Sequence, residues 1–386
     1  MAEYCGVAGA ARRQHPEHCT DAASVAGRMD ATRKNHSMKK SHLITALILI
    51  ILLLVPGCAS KASDCKQPDV FCVGLVTDVG RRDDRAYNQA AWEGIQQVKA
   101  SGATDWVASI ETADARDYEE NISVFAQAGY DVIVTVGDAM GNATRAAAKA
   151  YPDTYFIGVD QDQSTSQDFS PNLTGLVFAE DQIGYLAGAL AALMSKTNQI
   201  GAVVGSNALP AMKRYGEGFM AGATYVNPAI KATVVYHNDV GLGQTLVDPE
   251  WGAATANSLV DSGSDIIFGV GGATGTNALV AAVTRGVYGI GADTDQYYAF
   301  PVAAPHLYAS ILKLIAPGVA ELIKTAKGAQ SRSSVFPSGN YLGQVGLSSY
   351  HDLGTSIPDE VKTHMTALDQ ALLSGSLQTG VPLTSP

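Results

Sequence analysis

An internal repeat constrains the fold of this 386-residue chain more than any other feature. Residues 129–139 closely resemble residues 263–273, and both blocks begin with glycine, one further residue and aspartate before a short apolar run. Each block continues through a helical pattern into a second apolar run, which ends at Asp160 in the first copy and at Asp293 in the second. Two β–α–β units in the same order predict two similar lobes.

The chain from Val70 onward alternates short apolar runs with longer segments in which apolar residues recur every three or four positions. This alternation predicts an α/β fold with parallel sheets that are covered by helices on both faces. Two Rossmann-like lobes with a cleft between them would suit the capture of a small molecule.

A leader precedes the predicted lobes. Met38-Lys39-Lys40 comes before an apolar run at residues 43–55, and the sequence then continues into Gly57-Cys58. The run is shorter than the roughly 20 residues that span a bilayer as a helix, so a signal peptide at 38–57 is expected, with lipidation at Cys58. An uncleaved anchor helix is the alternative, and both interpretations put the lobes outside the cytoplasm. Residues 58–69 are expected to be a tether, and residues 1–37 an artefactual or disordered extension.

Charge and cysteine content exclude some classes of function. The formal net charge of −11 argues against nucleic-acid binding, because a basic surface is needed to attract phosphates. No cysteine follows Cys72, so neither a scattered metal cluster nor a catalytic thiol is expected in the main body. Cys65 and Cys72 form a disulfide or remain free thiols, and the sequence leaves both alternatives open.

Candidate ligand-binding residues follow the predicted strands. Ligands of open parallel sheets bind beyond the carboxyl ends of the strands, and this rule selects Asp78, Asp138, Asp160, Gly271-Gly272 and Asp293. Carboxylates suit vicinal hydroxyls, because one carboxylate accepts two parallel hydrogen bonds. A glycine such as Gly272 lets the backbone amide approach a ligand closely.

The loop after the first predicted strand adds two candidates. Tyr87 offers a flat face to a heterocycle, and Asn88 offers both a donor and an acceptor. A solvated loop in which Asp84 or Asn88 caps the next helix is the alternative.

Several motifs together resemble one known family. They are Thr77-Asp78-Val79-Gly80 with residues 87–94, residues 180–188, Arg214-Tyr215-Gly216-Glu217-Gly218-Phe219, Gly272-Ala273-Thr274-Gly275, residues 291–296 and Ser310-Ile311-Leu312-Lys313. This combination resembles the basic membrane protein family, whose members are lipoprotein solute-binding proteins of ABC importers and include purine nucleoside receptors. The resemblance covers essentially all of residues 70–386.

The resemblance implies a type I periplasmic-binding-protein fold and a set of ligand contacts. It implies ribose contacts at Asp78, Asp293 and Lys313, base contacts at Asn88 and Asp138, and stacking at Tyr87. On the residues alone, Lys313 would be interpreted as a surface lysine at the start of a helix. The implied division assigns 70–178 and about 303–330 to the first lobe, and 179–302 and about 331–386 to the second.

Two positions depart from the family pattern. The family usually has phenylalanine where Tyr87 stands, and it often has a second aromatic residue before an Asp-Pro pair. Here that segment is Leu246-Val247-Asp248-Pro249, so Trp251 or Tyr297 would have to supply the second stacking face.

The expected protein is therefore a membrane-anchored monomer that faces the periplasm or the cell exterior. It is expected to deliver a nucleoside, a purine nucleoside by the resemblance, to an ABC permease. Neither a cofactor nor a metal is expected. An exported nucleoside or sugar hydrolase and a ligand-sensing domain for a membrane signalling partner are the alternatives. The sequence has neither a His-Glu-x-x-His pair nor a Gly-x-Ser-x-Gly elbow, and it lacks the Lys-Ser/Thr of a phosphate loop, so an enzyme is not expected.

Overall fold

The computed structural model describes residues 65–164, 170–330 and 335–382. The predicted leader, the lipidation site at Cys58 and most of the tether lie outside these ranges. None of the helices in the described ranges combines the length and the apolar character that a membrane span requires.

Two six-stranded sheets form the framework. The first has the strand order β11-β5-β4-β3-β1-β2, and the second has the order β12-β10-β9-β8-β6-β7. The strands are β1 (Cys72–Val79), β2 (Trp106–Thr112), β3 (Val132–Val136), β4 (Tyr155–Val159), β5 (Leu173–Val177), β6 (Gln199–Val204), β7 (Lys231–Tyr236), β8 (Ile266–Val270), β9 (Tyr288–Asp293), β10 (Leu307–Lys313), β11 (Gly339–Leu342) and β12 (Val345–Leu347). All neighbours pair in parallel except β10 and β12.

Helices cover the sheets. They are α1 (Tyr87–Ala100), α2 (Tyr118–Gln127), α3 (Gly141–Ala150), α4 (Glu180–Met194), α5 (Pro210–Val226), α6 (Pro249–Asp261), α7 (Gly272–Thr284), α8 (Gln296–Ala299), α9 (Ile315–Gln330) and α10 (Asp359–Leu373). Helices α1 and α9 pack together in the unit built on the first sheet, and α4 packs with α5 and α10 in the unit built on the second sheet. We call these units lobe 1 and lobe 2. The predicted α/β class with parallel sheets is confirmed.

The internal repeat corresponds to equivalent parts of the two sheets. Strand β3 pairs with β4 in lobe 1, and β8 pairs with β9 in lobe 2, in both cases in parallel and through an intervening helix. Strands β3 and β8 are buried along their whole length, as continuous apolar runs in a doubly covered sheet should be. The repeated sequence therefore gives each lobe the same central β–α–β unit.

The chain crosses between the lobes three times, and this pattern corrects the expected division. It passes to lobe 2 between β5 and α4, returns to lobe 1 between β10 and α9, and passes back to lobe 2 between β11 and β12. The expected assignment of 303–330 to the first lobe is wrong for β10, which pairs with β9 and β12. The assignment of 331–386 to the second lobe is wrong for β11, which pairs with β5.

The alternative left open for the two cysteines is now decided. Cys65 and Cys72 form a disulfide with their Cα atoms 5.8 Å apart. Since Cys72 begins β1 and is fully buried, the disulfide ties the segment before the lobes to the amino end of an inner strand of the first sheet.

Candidate functional site

Four charged side chains converge where the carboxyl ends of the strands of both lobes face each other. Asp160 directly follows β4 of lobe 1, while Asp293 and Lys313 are the last residues of β9 and β10 in lobe 2. Glu180 begins α4, just after the first crossing between the lobes. The rule that ligands bind beyond the carboxyl ends of parallel strands predicts this location.

Lys313 is the centre of the cluster. It is only 7% exposed, and its ammonium lies 2.6 Å from Oδ2 of Asp160 and 3.8 Å from Oε1 of Glu180. Burial disfavours the charged form, but the negative charges of Asp160, Asp293 and Glu180 outweigh it and raise the pKa of Lys313 above its ordinary value. The interpretation of Lys313 as a surface lysine at a helix start is wrong, because the residue ends a buried strand.

Asp293 faces two tyrosines. The hydroxyl of Tyr215, on α5, donates a hydrogen bond to Oδ1 of Asp293, and Tyr87 from lobe 1 lies beside the same carboxylate. Burial raises the pKa of Asp293, while Lys313 and the bond from Tyr215 oppose this rise. The backbone of Asp293 has φ of 70°, a left-handed conformation that aspartate tolerates better than most residues.

Glu180 and Arg214 form a second ion pair beside Lys313, in which Glu180 is buried and Arg214 is partly exposed. Nε and Nη2 of Arg214 donate to Oε2 of Glu180 at 2.9 and 2.7 Å. Burial raises the pKa of Glu180, and the charges of Lys313 and Arg214 counteract this effect. The pair holds the start of α4 against α5 and completes a cluster of alternating charges around Lys313.

Close packing of α4 on α5 sets the position of these groups. A Cβ at Gly184 would collide with the backbone carbonyl of Tyr215, so glycine is required there. Glu180, Arg214 and Tyr215 were absent from the predicted site, although all three lie within the motifs that carry the family resemblance.

Asp78 and Asn88 form a separate unit in lobe 1. The Asn88 amide donates to Oδ1 of Asp78 at 2.6 Å and accepts from the Asp78 backbone amide at 3.3 Å, and Asn88 is only 1% exposed. Asn88 thus orients Asp78, and its own functional groups are occupied. Burial raises the pKa of Asp78, the bond from Asn88 lowers it, and the charge of Asp84 raises it.

The start of α1 explains why Tyr87 points into this region. The Asp84 carboxylate accepts hydrogen bonds from the backbone amides of Ala86, Asn88 and Gln89. Asp84 therefore performs the capping role that the sequence left open. The ring of Tyr87 is half-buried, with the Lys313 ammonium 5.5 Å from its centroid.

Two further predicted residues lie at the margin of the cluster. Asp138 is exposed in the turn after β3. This turn lies close to Asp78, because a Cβ added at the neighbouring Gly137 would be 3.6 Å from the Asp78 carboxylate. Gly272 is exposed at the start of α7 with φ of 59° and packs against the Leu246 backbone. Among the described residues, neither shares a hydrogen bond with Lys313 or Asp293.

Both candidate replacements for the second stacking aromatic have a ring face against a histidine. Trp251 stacks on the buried His237 with centroids 3.9 Å apart, and Tyr297 stacks on His351 with centroids 4.0 Å apart.

The cluster is suited to binding polar groups. Carboxylates at Asp78 and Asp293 accept hydrogen bonds from hydroxyls, the Lys313 ammonium donates, and Tyr87 adds an aromatic surface. In the ranges that the structure describes, no group of three or more His, Cys, Asp or Glu residues has the geometry to hold a metal ion.

The comparisons with known proteins agree on a family. Residues 71–333 match the Bmp family model, described as ABC transporter substrate-binding protein PnrA-like. The CD4+ T-cell-stimulating antigen of Listeria monocytogenes is 30% identical over 371 residues, covering 88% of this chain and 99% of that protein. The ABC transporter nucleoside-binding protein BmpA of Lactococcus lactis is 31% identical over 283 residues, covering 68% and 76%.

A solved structure supports the fold. The ABC transporter solute-binding protein from Conexibacter woesei superposes with a TM-score of 0.65 at 23% identity, covering 81% of this chain and 99% of that one. The predicted type I periplasmic-binding-protein fold is thereby confirmed. Together with the match over residues 71–333, these observations establish that the chain belongs to the Bmp family of PnrA-like substrate-binding proteins of ABC transporters.

Proposed function

We propose that this protein captures a ribonucleoside between its lobes, a purine ribonucleoside by the family resemblance, and delivers it to an ABC permease. The observation that carries the proposal is the meeting of Tyr87 from lobe 1 with Asp293 and Lys313 from lobe 2. The aromatic face of Tyr87 suits a base, and the carboxylate and the ammonium suit the hydroxyls of a ribose. A relative named as a nucleoside-binding protein, 31% identical, supports the same ligand class.

The remaining predicted residues have roles that fit this proposal. Asp78 and Asp293 accept hydrogen bonds from ribose hydroxyls, and Lys313 donates to the ribose. Asp138 and the Gly272 amide contact the ligand from the margin. Asn88 contributes by holding Asp78, since its own groups are occupied by that carboxylate and by the Arg81 carbonyl.

The protein acts outside the cytoplasm under this proposal, as a monomer anchored through lipid on Cys58. The Gly57-Cys58 end of the apolar run supports the anchor. The Cys65–Cys72 disulfide supports an oxidising compartment.

Calorimetric titration with a panel of nucleosides tests the ligand class. Adenosine, guanosine and inosine should bind with micromolar or tighter affinity, while free ribose should bind more weakly because it lacks a base to stack on Tyr87. Chromatography after overnight incubation should recover the nucleoside intact, as expected for a carrier. Absence of heat with every nucleoside would reject the proposal, and release of free base would favour a hydrolase.

A further inference from the structure

The internal repeat places Asp160 in the position equivalent to that of Asp293. Each residue follows the last buried position of the second strand in its β–α–β unit. Both have left-handed backbones, with φ of 59° at Asp160 and 70° at Asp293. Aspartate and asparagine are among the few non-glycine residues that adopt this conformation readily. Each lobe thus contributes one carboxylate from the same point of the repeat.

Asp160 is the short-range ionic partner of Lys313. The distance from the ammonium to Asp160 is 2.6 Å, against 3.8 Å to Glu180, which is already bound by Arg214. Asp293 receives the Tyr215 hydroxyl. A buried ammonium is unfavourable without a close counter-charge. Asp160 is therefore the main residue that neutralises the positive charge of Lys313.

The pair joins the two lobes. Lys313 ends a strand of lobe 2 and Asp160 follows a strand of lobe 1, so the bond forms only when the lobes approach each other. Within the described residues, the Asp160 carboxylate makes no hydrogen bond to its own lobe. Its side chain therefore contributes to the contact between the lobes rather than to the packing of lobe 1.

We infer that Asp160 is a positioning residue that holds Lys313 across the cleft and couples closure of the lobes to assembly of the ligand site. This inference rests on the proposed function as far as the ligand is concerned. Asp160 acts through Lys313 and not by contact with the ligand, so the effects of changing the two residues should not be independent.

Substitutions that remove single charges test this coupling. Asp160→Asn keeps both the size of the side chain and its tolerance of a left-handed backbone. Asp153→Asn is the matched control, because Asp153 is exposed just before β4 while Asp160 lies just after it. Lys313→Met and the double variant Asp160→Asn/Lys313→Met complete the cycle. Guanosine affinity is measured by calorimetry on the full chain, and the melting temperature is recorded for each variant.

Asp160→Asn should weaken guanosine binding by about 30- to 300-fold, because it removes the nearest counter-charge of a buried ammonium. Asp153→Asn should bind as the original chain does. The double variant should match Lys313→Met within about twofold, since Asp160 has no separate effect. Unchanged affinity in Asp160→Asn, or losses that multiply in the double variant, would overturn the inference. A lower melting temperature with intact affinity would also overturn it, because it would assign Asp160 a purely structural role.

A second measurement separates this inference from the proposed ligand. If the original chain does not bind guanosine, the proposed function fails, but small-angle X-ray scattering still reports whether Asp160 draws the lobes together. In that case Asp160→Asn should have a larger radius of gyration than the original chain and Asp153→Asn, all without added nucleoside. Equal radii for the three proteins would reject the coupling itself.

Discussion

The hydroxyl of Tyr215 donates a hydrogen bond to the carboxylate of Asp293 at the end of β9. Tyr215 is fully buried on α5, and glycine contacts fix α5 against α4. The Tyr215 hydroxyl therefore holds the Asp293 carboxylate in place. Asp293 also lies in a left-handed backbone conformation, which restricts the residues that can replace it. These constraints fix the direction of the carboxylate before any ligand is bound.

Asp293→Asn should weaken nucleoside binding about tenfold to a hundredfold while leaving the melting temperature nearly unchanged. The carboxylate accepts charge-assisted hydrogen bonds that contribute roughly 1.5–3 kcal/mol each, and a neutral amide cannot replace them fully. Asparagine is chosen because alanine would strain a backbone with φ of 70°. Calorimetry and thermal melting of one preparation decide between roles, because a stability loss with intact affinity would make Asp293 a structural residue.

Asn88→Ala should destabilise the protein by about 1–3 kcal/mol, because it leaves the half-buried Asp78 carboxylate without its amide donor. Asn88 is 1% exposed, and its amide donates to Asp78 at 2.6 Å. Urea unfolding measures the change, and Gln89→Ala, on the next and more exposed position, is the control. Equal unfolding midpoints for both variants would contradict the idea that Asn88 holds Asp78.

The fold was predictable because its signals are local and repeated. Continuous apolar runs ending in Asp160 and Asp293 identified equivalent strands in both lobes, and the carboxyl ends of these strands are where the charged cluster lies. The crossing through β11 and β12 was not predictable. These strands have four and three residues, which is too short for a periodic pattern.

The central cluster was only partly predictable. Without the family resemblance, nothing in the sequence separates Lys313 from a surface lysine, because its burial depends on β10 pairing with β9 in lobe 2. Glu180 and Arg214 meet through the packing of two helices whose relative position is a tertiary property. The same limit applies to the Cys65–Cys72 disulfide, which spacing alone does not determine.

Cys58→Ala should release the protein from membranes into the soluble fraction of bacterial cells that express it. The reason is that a lipid anchor on Cys58 requires the thiol, whereas an apolar run of this length is too short for a stable spanning helix. Immunoblots of the two fractions measure the distribution, with Ser60→Ala as a control that changes a residue close to the proposed anchor but keeps every thiol. Retention of Cys58→Ala in membranes would favour an uncleaved helix.

Ribonucleosides should bind about 5- to 150-fold more tightly than their 2′-deoxy forms. Asp78 and Asp293 present carboxylates suited to a ribose diol, and a ligand that lacks one hydroxyl leaves an acceptor unpaired at a cost of roughly 1–3 kcal/mol. Competition between guanosine and 2′-deoxyguanosine in one calorimetric titration gives the ratio directly. In Asp293→Asn the preference should shrink if Asp293 accepts the 2′-hydroxyl, whereas an undiminished preference would assign that contact to Asp78. Equal affinities of the original chain for both nucleosides would show that its carboxylates do not bind the diol.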